Sequence, residues 1–242
     1  MDVNQAIVQV YRSNSNKDDP SLTQIGYSGA QLVGRSLSNK QLNIHTIYTS
    51  PSLRCIQTAK SIVSSLNTRR LPRIRIEYAL FEPLAFVSKV TFHGIFKDDK
   101  VPKFITKEEL TNNKFHFDEK YTSVMNYEEL KQMFGQEKTI TDFYKRVEHA
   151  VNRIVGGKRK RGGIIIISHA PVLDCIFRLL TNRTDLPKTA GDLQRLIHNY
   201  PRCSVTTLQF FPENLQWENR ADIVPPLSYW HMTTMVNIPD FD

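Results

Sequence analysis

The stretch Gly162-Gly-Ile-Ile-Ile-Ile167-Ser-His169-Ala-Pro171 constrains the fold more than any other. Four consecutive β-branched residues leave no polar face. Residues 164–167 therefore read as a central strand buried on both sides, the habit of parallel sheets. Glycines open the stretch, and a histidine follows its carboxyl end. A buried parallel strand needs helices on both faces and crossover connections.

The rest of the chain supplies them. Residues 6–11 read as a first strand, followed by a polar stretch over 14–21. Thr23 suits the N-cap of a helix running to about Ser38. Residues 46–49 read as a short buried strand. Ser50-Pro51 then predicts a second helix, with Ser as N-cap and Pro at the first position. Its stripe of Leu53, Ile56, Ala59, Ile62, Val63 and Leu66 faces a core. Residues 74–77 alternate as a strand, 141–155 form a strongly amphipathic helix, and 172–180 another. Residues 203–211 read as a strand, 216–223 as a further one, and the Pro- and aromatic-rich end from Val224 as irregular. The segment 84–136 breaks this alternation. It reads as an insertion over one end of the sheet, with short helices near 107–110 and 127–133. The expectation is a three-layer α/β fold with a mainly parallel central sheet and helices on both faces, in a single domain spanning 1–242.

Composition narrows the function. Hydrophobic content of 40% and charged content of 23% over 242 residues suit a globular domain with a full core. Three cysteines, Cys55, Cys175 and Cys203, have no paired spacing. That argues against a disulfide framework or a metal site and for a reducing compartment; Cys55 and Cys175 read as buried structural thiols. No basic, apolar leader opens the chain and no apolar run approaches a bilayer span, so the expectation is a cytoplasmic protein without membrane contact, with the nucleus as the alternative. The net charge of +8 favours anionic partners. The one dense basic run, Lys158-Arg159-Lys160-Arg161, reads first as a solvated loop between a helix and a strand; nucleic acid is its weaker reading.

The chemistry-bearing residues gather at strand ends, where open α/β sheets place ligands. Arg12 and Ser13 follow the first strand, Glu82 lies past another, and His169 follows the isoleucine strand. Arg54 sits on the first turn of the helix opened by Ser50-Pro51, where backbone amides and the helix dipole favour an anion. Guanidinium forks there make a phosphate cradle. His93 and His116 in the insertion read as ordinary surface or partly buried histidines.

These residues carry a resemblance. Lys17-Asp-Asp-Pro-Ser-Leu-Thr23-Gln-Ile-Gly26, Gly29-Ala-Gln-Leu-Val-Gly34, Tyr48-Thr-Ser-Pro-Ser-Leu-Arg54-Cys-Ile-Gln-Thr-Ala59, Ile74-Arg-Ile-Glu with Leu80-Phe-Glu82, and Ile167-Ser-His169-Ala resemble the histidine phosphatase superfamily, with its phosphoglycerate-mutase-like fold. Within it, the chain is most similar to the phosphatase domain of suppressor of T-cell receptor signalling (Sts) proteins and to insect steroid-phosphate phosphatases. The resemblance implies phosphate binding by Arg12, Arg54 and His169, with Glu82 as general acid. It implies a histidine nucleophile on the first strand's end, without metal or cofactor. It also implies a homodimer.

At the nucleophile's position this chain has Ser13, and Asn14, Ser15 and Asn16 follow where the resemblance implies Gly, Glu and Arg. A serine hydroxyl attacks poorly without a positioned base, and its phosphoester is hard to hydrolyse. Losing a nucleophile costs on the order of 10³–10⁶ in rate. The expectation is a pseudophosphatase that acts as an interaction or scaffold protein and retains a phosphorylated ligand. The competing expectation is a phosphomonoesterase of divergent mechanism, with Ser13 activated by His169 as one route to it.

Overall fold

The computed structural model describes residues 19–84, 103–156 and 162–224, with backbone pairing at 228–229 and 232–233. The expected strand at 6–11, together with Arg12, Ser13, Asn16, His93 and the run Lys158–Arg161, lies outside the described residues.

Helix α1 (Gln24–Asn39) begins where Thr23 accepts from the Gly26 amide, as its N-cap role requires. Strand β1 (Ile44–Thr49), helix α2 (Leu53–Ser64) and strand β2 (Arg73–Ile76) follow. The insertion holds α3 (Lys107–Asn112) and α4 (Tyr127–Met133), each opened by a reciprocal capping box, Thr106/Glu109 and Asn126/Glu129. Helix α5 (Ile140–Val155) leads to β3 (Gly163–Ile167), α6 (Ala170–Leu180) and α7 (Ala190–Asn199). Strands β4 (Leu208–Phe211) and β5 (Gln216–Asn219) form an antiparallel pair, and β6 (Ser228–Tyr229) and β7 (Met232–Thr233) another.

The described central sheet runs β2-β1-β3, all parallel. Its side chains alternate between two cores. Ile47, Ile165 and Ile167 face α1 and α2, while Tyr48, Ile164 and Ile166 face α5, α6 and α7. Helices thus lie on both faces of the isoleucine strand, but the expected two-sided burial is only partly met: Ile167 is buried, while Ile164, Ile165 and Ile166 are half-buried. Gly34 lets α1 approach α2: a Cβ there would lie 2.5 Å from the Ile62 carbonyl oxygen.

Three expectations change. Helix α2 starts at Leu53, with Ser52 rather than Ser50 at the N-cap and no side-chain cap from it. The strand expected over 203–211 pairs only from Leu208, because residues 201–204 make a turn in which Cys203 adopts φ 62°. Helix α7, unforeseen, is opened by a Thr189/Asp192 capping box. Cys55 and Cys175 are buried, as expected of structural thiols.

Candidate active site

Strands β1 and β3 end side by side, joined by a hydrogen bond from the Ser50 amide to the Ile167 carbonyl at 2.9 Å. This register sets Ser50 and Ser52, just past β1, against His169, just past β3. The imidazole Nε2 lies 2.9 Å from Ser50 Oγ and 3.3 Å from Ser52 Oγ. Both hydroxyls that could have capped α2 hold the imidazole instead. Capping falls to Asp19, whose carboxylate accepts from the Leu53 amide at 3.0 and 2.9 Å, 34 residues away in sequence.

On its other side, His169 Nδ1 lies 3.2 Å from Arg54 Nη2 and 3.1 Å from Glu82 Oε1. Arg54 Nη2 also donates to Glu82, and Arg54 Nη1 lies 3.8 Å from Asp19. A guanidinium only donates, so toward Arg54 the Nδ1 nitrogen can act only as an acceptor. Glu82 Oε1, in contrast, accepts, so Nδ1 stands between a donor and an acceptor while Nε2 faces the two serine hydroxyls, each able to donate or accept. Burial, then Arg54 and Arg146, hold His169 well below its ordinary pKa, which keeps the ring neutral at physiological pH. Phe81 stands edge-on to the ring at 5.8 Å and belongs to the aromatic cluster of the insertion, where Phe104 packs at 4.9 Å.

Glu82 is positioned through its backbone. Arg146, fully buried on α5, donates to the carbonyls of Ala79 at 2.8 Å, Phe81 at 3.0 Å and Glu82 at 2.9 Å. Its charge is met by Glu137, at 2.6 and 3.2 Å, and Glu137 also accepts from the Leu84 amide. The Glu82 side chain points out of this clamp toward Arg54. Burial raises its pKa, against the pull of Arg54. Burial also raises Asp19, to about 7, against the Leu53 amide and Arg54. Two carboxyls that hold protons more readily than usual thus flank one guanidinium that stays charged. Cys55 lies 3.9 Å from Nε2, but burial pushes its thiol up to about 12, so it is no nucleophile.

The Ser50–His169–Glu82 chain has the spacing of a hydrolase triad. Ser50, however, has no accessible surface, so its hydroxyl orients the ring and meets no substrate. Arg54, with a quarter of its side chain accessible, is the cation that can meet an incoming anion.

Residues 10–82 and 106–223 match the histidine phosphatase superfamily (branch 1). This chain belongs to that superfamily. It is 31% identical over 211 residues to the ecdysteroid-phosphate phosphatase of Drosophila melanogaster, covering 86% of this chain and 26% of that protein. It is 28% identical over 212 residues to mouse ubiquitin-associated and SH3 domain-containing protein A, covering 86% of this chain and 31% of that protein. The chain thus spans about a quarter to a third of these curated relatives. The silkworm ecdysone phosphate phosphatase, solved in complex with tungstate, superposes with a TM-score of 0.68 at 28% identity, over 88% of this chain and 76% of that one. The fold is the phosphoglycerate-mutase-like one that the motifs implied.

Of the residues singled out in the sequence, the structure brings Arg54, Glu82 and His169 together; Arg12 and Ser13 lie outside the described residues. His116 is exposed. Sequence reasoning missed Asp19, Ser52 and Arg146, and gave Ser50 the wrong partner. No local signal marks Asp19 or Arg146, since both act across long sequence separations. No helix among the described residues is long and apolar enough to cross a membrane.

Proposed function

We propose that this domain is a pseudophosphatase: a catalytically impaired member of its family that holds a phosphorylated ligand and serves as an interaction or scaffold module. One contrast carries the reading. Arg54, Glu82 and His169 meet within hydrogen-bonding range, while position 13, where the resemblance places the attacking imidazole, is a serine. In this reading Arg12 joins Arg54 and His169 around the phosphoryl group, Asn16 contributes no charge, and Ser13 does not attack. His169 Nε2 is already engaged by two serine hydroxyls, which leaves Ser13 without a free base. The relatives named as phosphatases of ecdysteroid phosphates support a phosphate monoester as ligand class. The reading takes residues 1–242 as one domain whose insertion, 84–136, covers the site, working in the cytoplasm as a homodimer.

The second reading, an active phosphomonoesterase on phosphoprotein or small phosphate esters, is favoured by Glu82. Its raised pKa suits an acid that protonates a leaving group. Hydrolysis of an aryl phosphate separates the two. The wild type is expected to show turnover near background. Ser13→His, alone or with Asn16→Arg, is expected to gain on the order of 10³-fold. Tungstate is expected to bind the wild type and to lose affinity in Arg54→Ala. Robust wild-type turnover abolished by Arg54→Ala would sink the pseudophosphatase reading.

A further inference from the structure

A second cleft opens beside the edge strand β2, lined among others by Tyr48, Arg73, Arg75, Lys120, Tyr121 and Arg153. Its volume, about 410 Å³, lies within the range of small-molecule sites. Three separate parts of the chain build it. Arg73 and Arg75 alternate along β2, Lys120 comes from the insertion, and Arg153 from the last turn of α5. The insertion is tied to the strand here by a hydrogen bond from the Asp118 amide to the Ile74 carbonyl at 2.7 Å.

The charges do not balance. Four cations line the cleft against a single carboxylate, Asp118. Asp118 is taken by Arg75 Nε at 2.9 Å. Arg73, Lys120 and Arg153 make no ion pair among the described residues. The last-turn position of Arg153 also complements the helix dipole, but Arg73 and Lys120 have no such role.

Two donors at the base of the cleft are also uncommitted. Arg75 lies against the rings of Tyr48 and Tyr121, at 5.7 and 5.0 Å, which fixes its plane. Its Nη1 donates to Tyr48 Oη at 3.0 Å, and its Nη2 makes no hydrogen bond among the described residues. Tyr48 is 8% exposed, and its hydroxyl accepts from Arg75 without an acceptor for its own proton among the described residues. The Tyr48 hydroxyl proton and the free edge of the Arg75 guanidinium thus stand together at the cleft, where oxygens of one anion can accept from both.

We propose that this cleft is a second anion site, separate from the Arg54–His169 site, that binds a small molecule carrying two or more phosphate groups. Charge sets the ligand class. The lining carries four positive charges and one negative, while one phosphoryl group brings about −1.5 to −2. A diphosphate or triphosphate matches the surplus, and a monophosphate does not. Arg75 and Tyr48 hold one phosphoryl group at the base, and Arg73, Lys120 and Arg153 hold the next at the rim.

Calorimetric titration of the whole chain with inorganic pyrophosphate and tripolyphosphate at low and moderate salt tests this. Saturable binding is expected, tighter for tripolyphosphate than for orthophosphate. The triple variant Arg73→Ala, Lys120→Ala, Arg153→Ala is expected to bind at least about tenfold more weakly. These side chains sit at exposed positions, so its thermal melt should match the wild type. Tyr48→Phe, which removes the free donor together with the acceptor for Arg75 Nη1, is expected to weaken binding several-fold, and Arg54→Ala to leave it unchanged. Undiminished affinity in the triple variant would overturn the proposal. So would loss of binding in Arg54→Ala alone, which would put the anion at the other site. A short oligonucleotide binding more tightly than tripolyphosphate, and lost in the triple variant, would replace the small ligand with nucleic acid.

Discussion

Two arginine–glutamate pairs face each other across Glu82, and they do opposite work. Arg146 and Glu137 are both fully buried, and every charged end of Arg146 has a partner: one carboxylate and three carbonyls. Arg54 and Glu82 keep accessible surface, and Arg54 divides itself among Glu82, Asp19 and His169 Nδ1. The first pair is closed and can only hold the chain in place. The second is open, with partners that share one cation and so can be displaced by a stronger anion. Neutralisation by full hydrogen bonding makes a structural pair, and shared neutralisation leaves a site.

Breaking the closed pair has the largest expected effect. Arg146→Ala strands the buried Glu137 and frees the carbonyls of Ala79, Phe81 and Glu82, and should cost about 3–5 kcal/mol of stability in denaturant unfolding. A loss below about 1 kcal/mol would show that the pairs are not different in kind.

The open pair should reveal itself in pH dependence. The Asp19 carboxyl titrates at about 7 when folded and near 3.8 otherwise. Between those values the folded state holds more proton, so this group's contribution to stability falls as pH rises from about 4 to 7. His169, lowered in the fold, acts in the opposite sense, because stability is lost as pH falls below its ordinary 6.5. Asp19→Asn keeps an acceptor for the Leu53 amide and removes only the carboxyl's slope. The difference between its stability curve and that of the wild type should therefore rise toward high pH by up to about 4 kcal/mol. A flat difference would mean that Asp19 is ionised throughout.

Arg54→Ala comes next. It should lower stability by only about 1–2 kcal/mol, because Glu82 can take up a proton, while tungstate affinity drops by at least about tenfold in calorimetry. Equal losses for Arg54 and Arg146 in stability would erase the distinction between open and closed pairs. Ser50→Ala is the smallest change, about 1 kcal/mol. Its sharper readout is the imidazole nitrogen NMR of His169, where loss of the Ser50 hydroxyl should shift the Nε2 signal.

The elements followed from local pattern wherever one signal governed them. The α4 boundaries matched because a polar cap, an acid three residues on and an apolar position are all short-range features. The start of α2 failed for an instructive reason. Ser50-Pro51 is a good helix opening taken alone, but Ser50 Oγ had a better partner in His169, 119 residues away. The 203–211 strand was shortened by a turn that an apolar alternation does not reveal.

The sequence alone determined the layered α/β plan, because periods of two and 3.6 and buried β-branched runs are written in neighbouring residues. It also placed Arg54 at a helix start and His169 at a strand end. Only the tertiary structure decided what holds them. Asp19 caps α2, two serines orient the imidazole, and Arg146 fixes the backbone of Glu82. Each of these contacts joins residues 34 to 119 positions apart. Such pairings depend on which chain ends the parallel register of β1 and β3 brings side by side. No local propensity encodes that register.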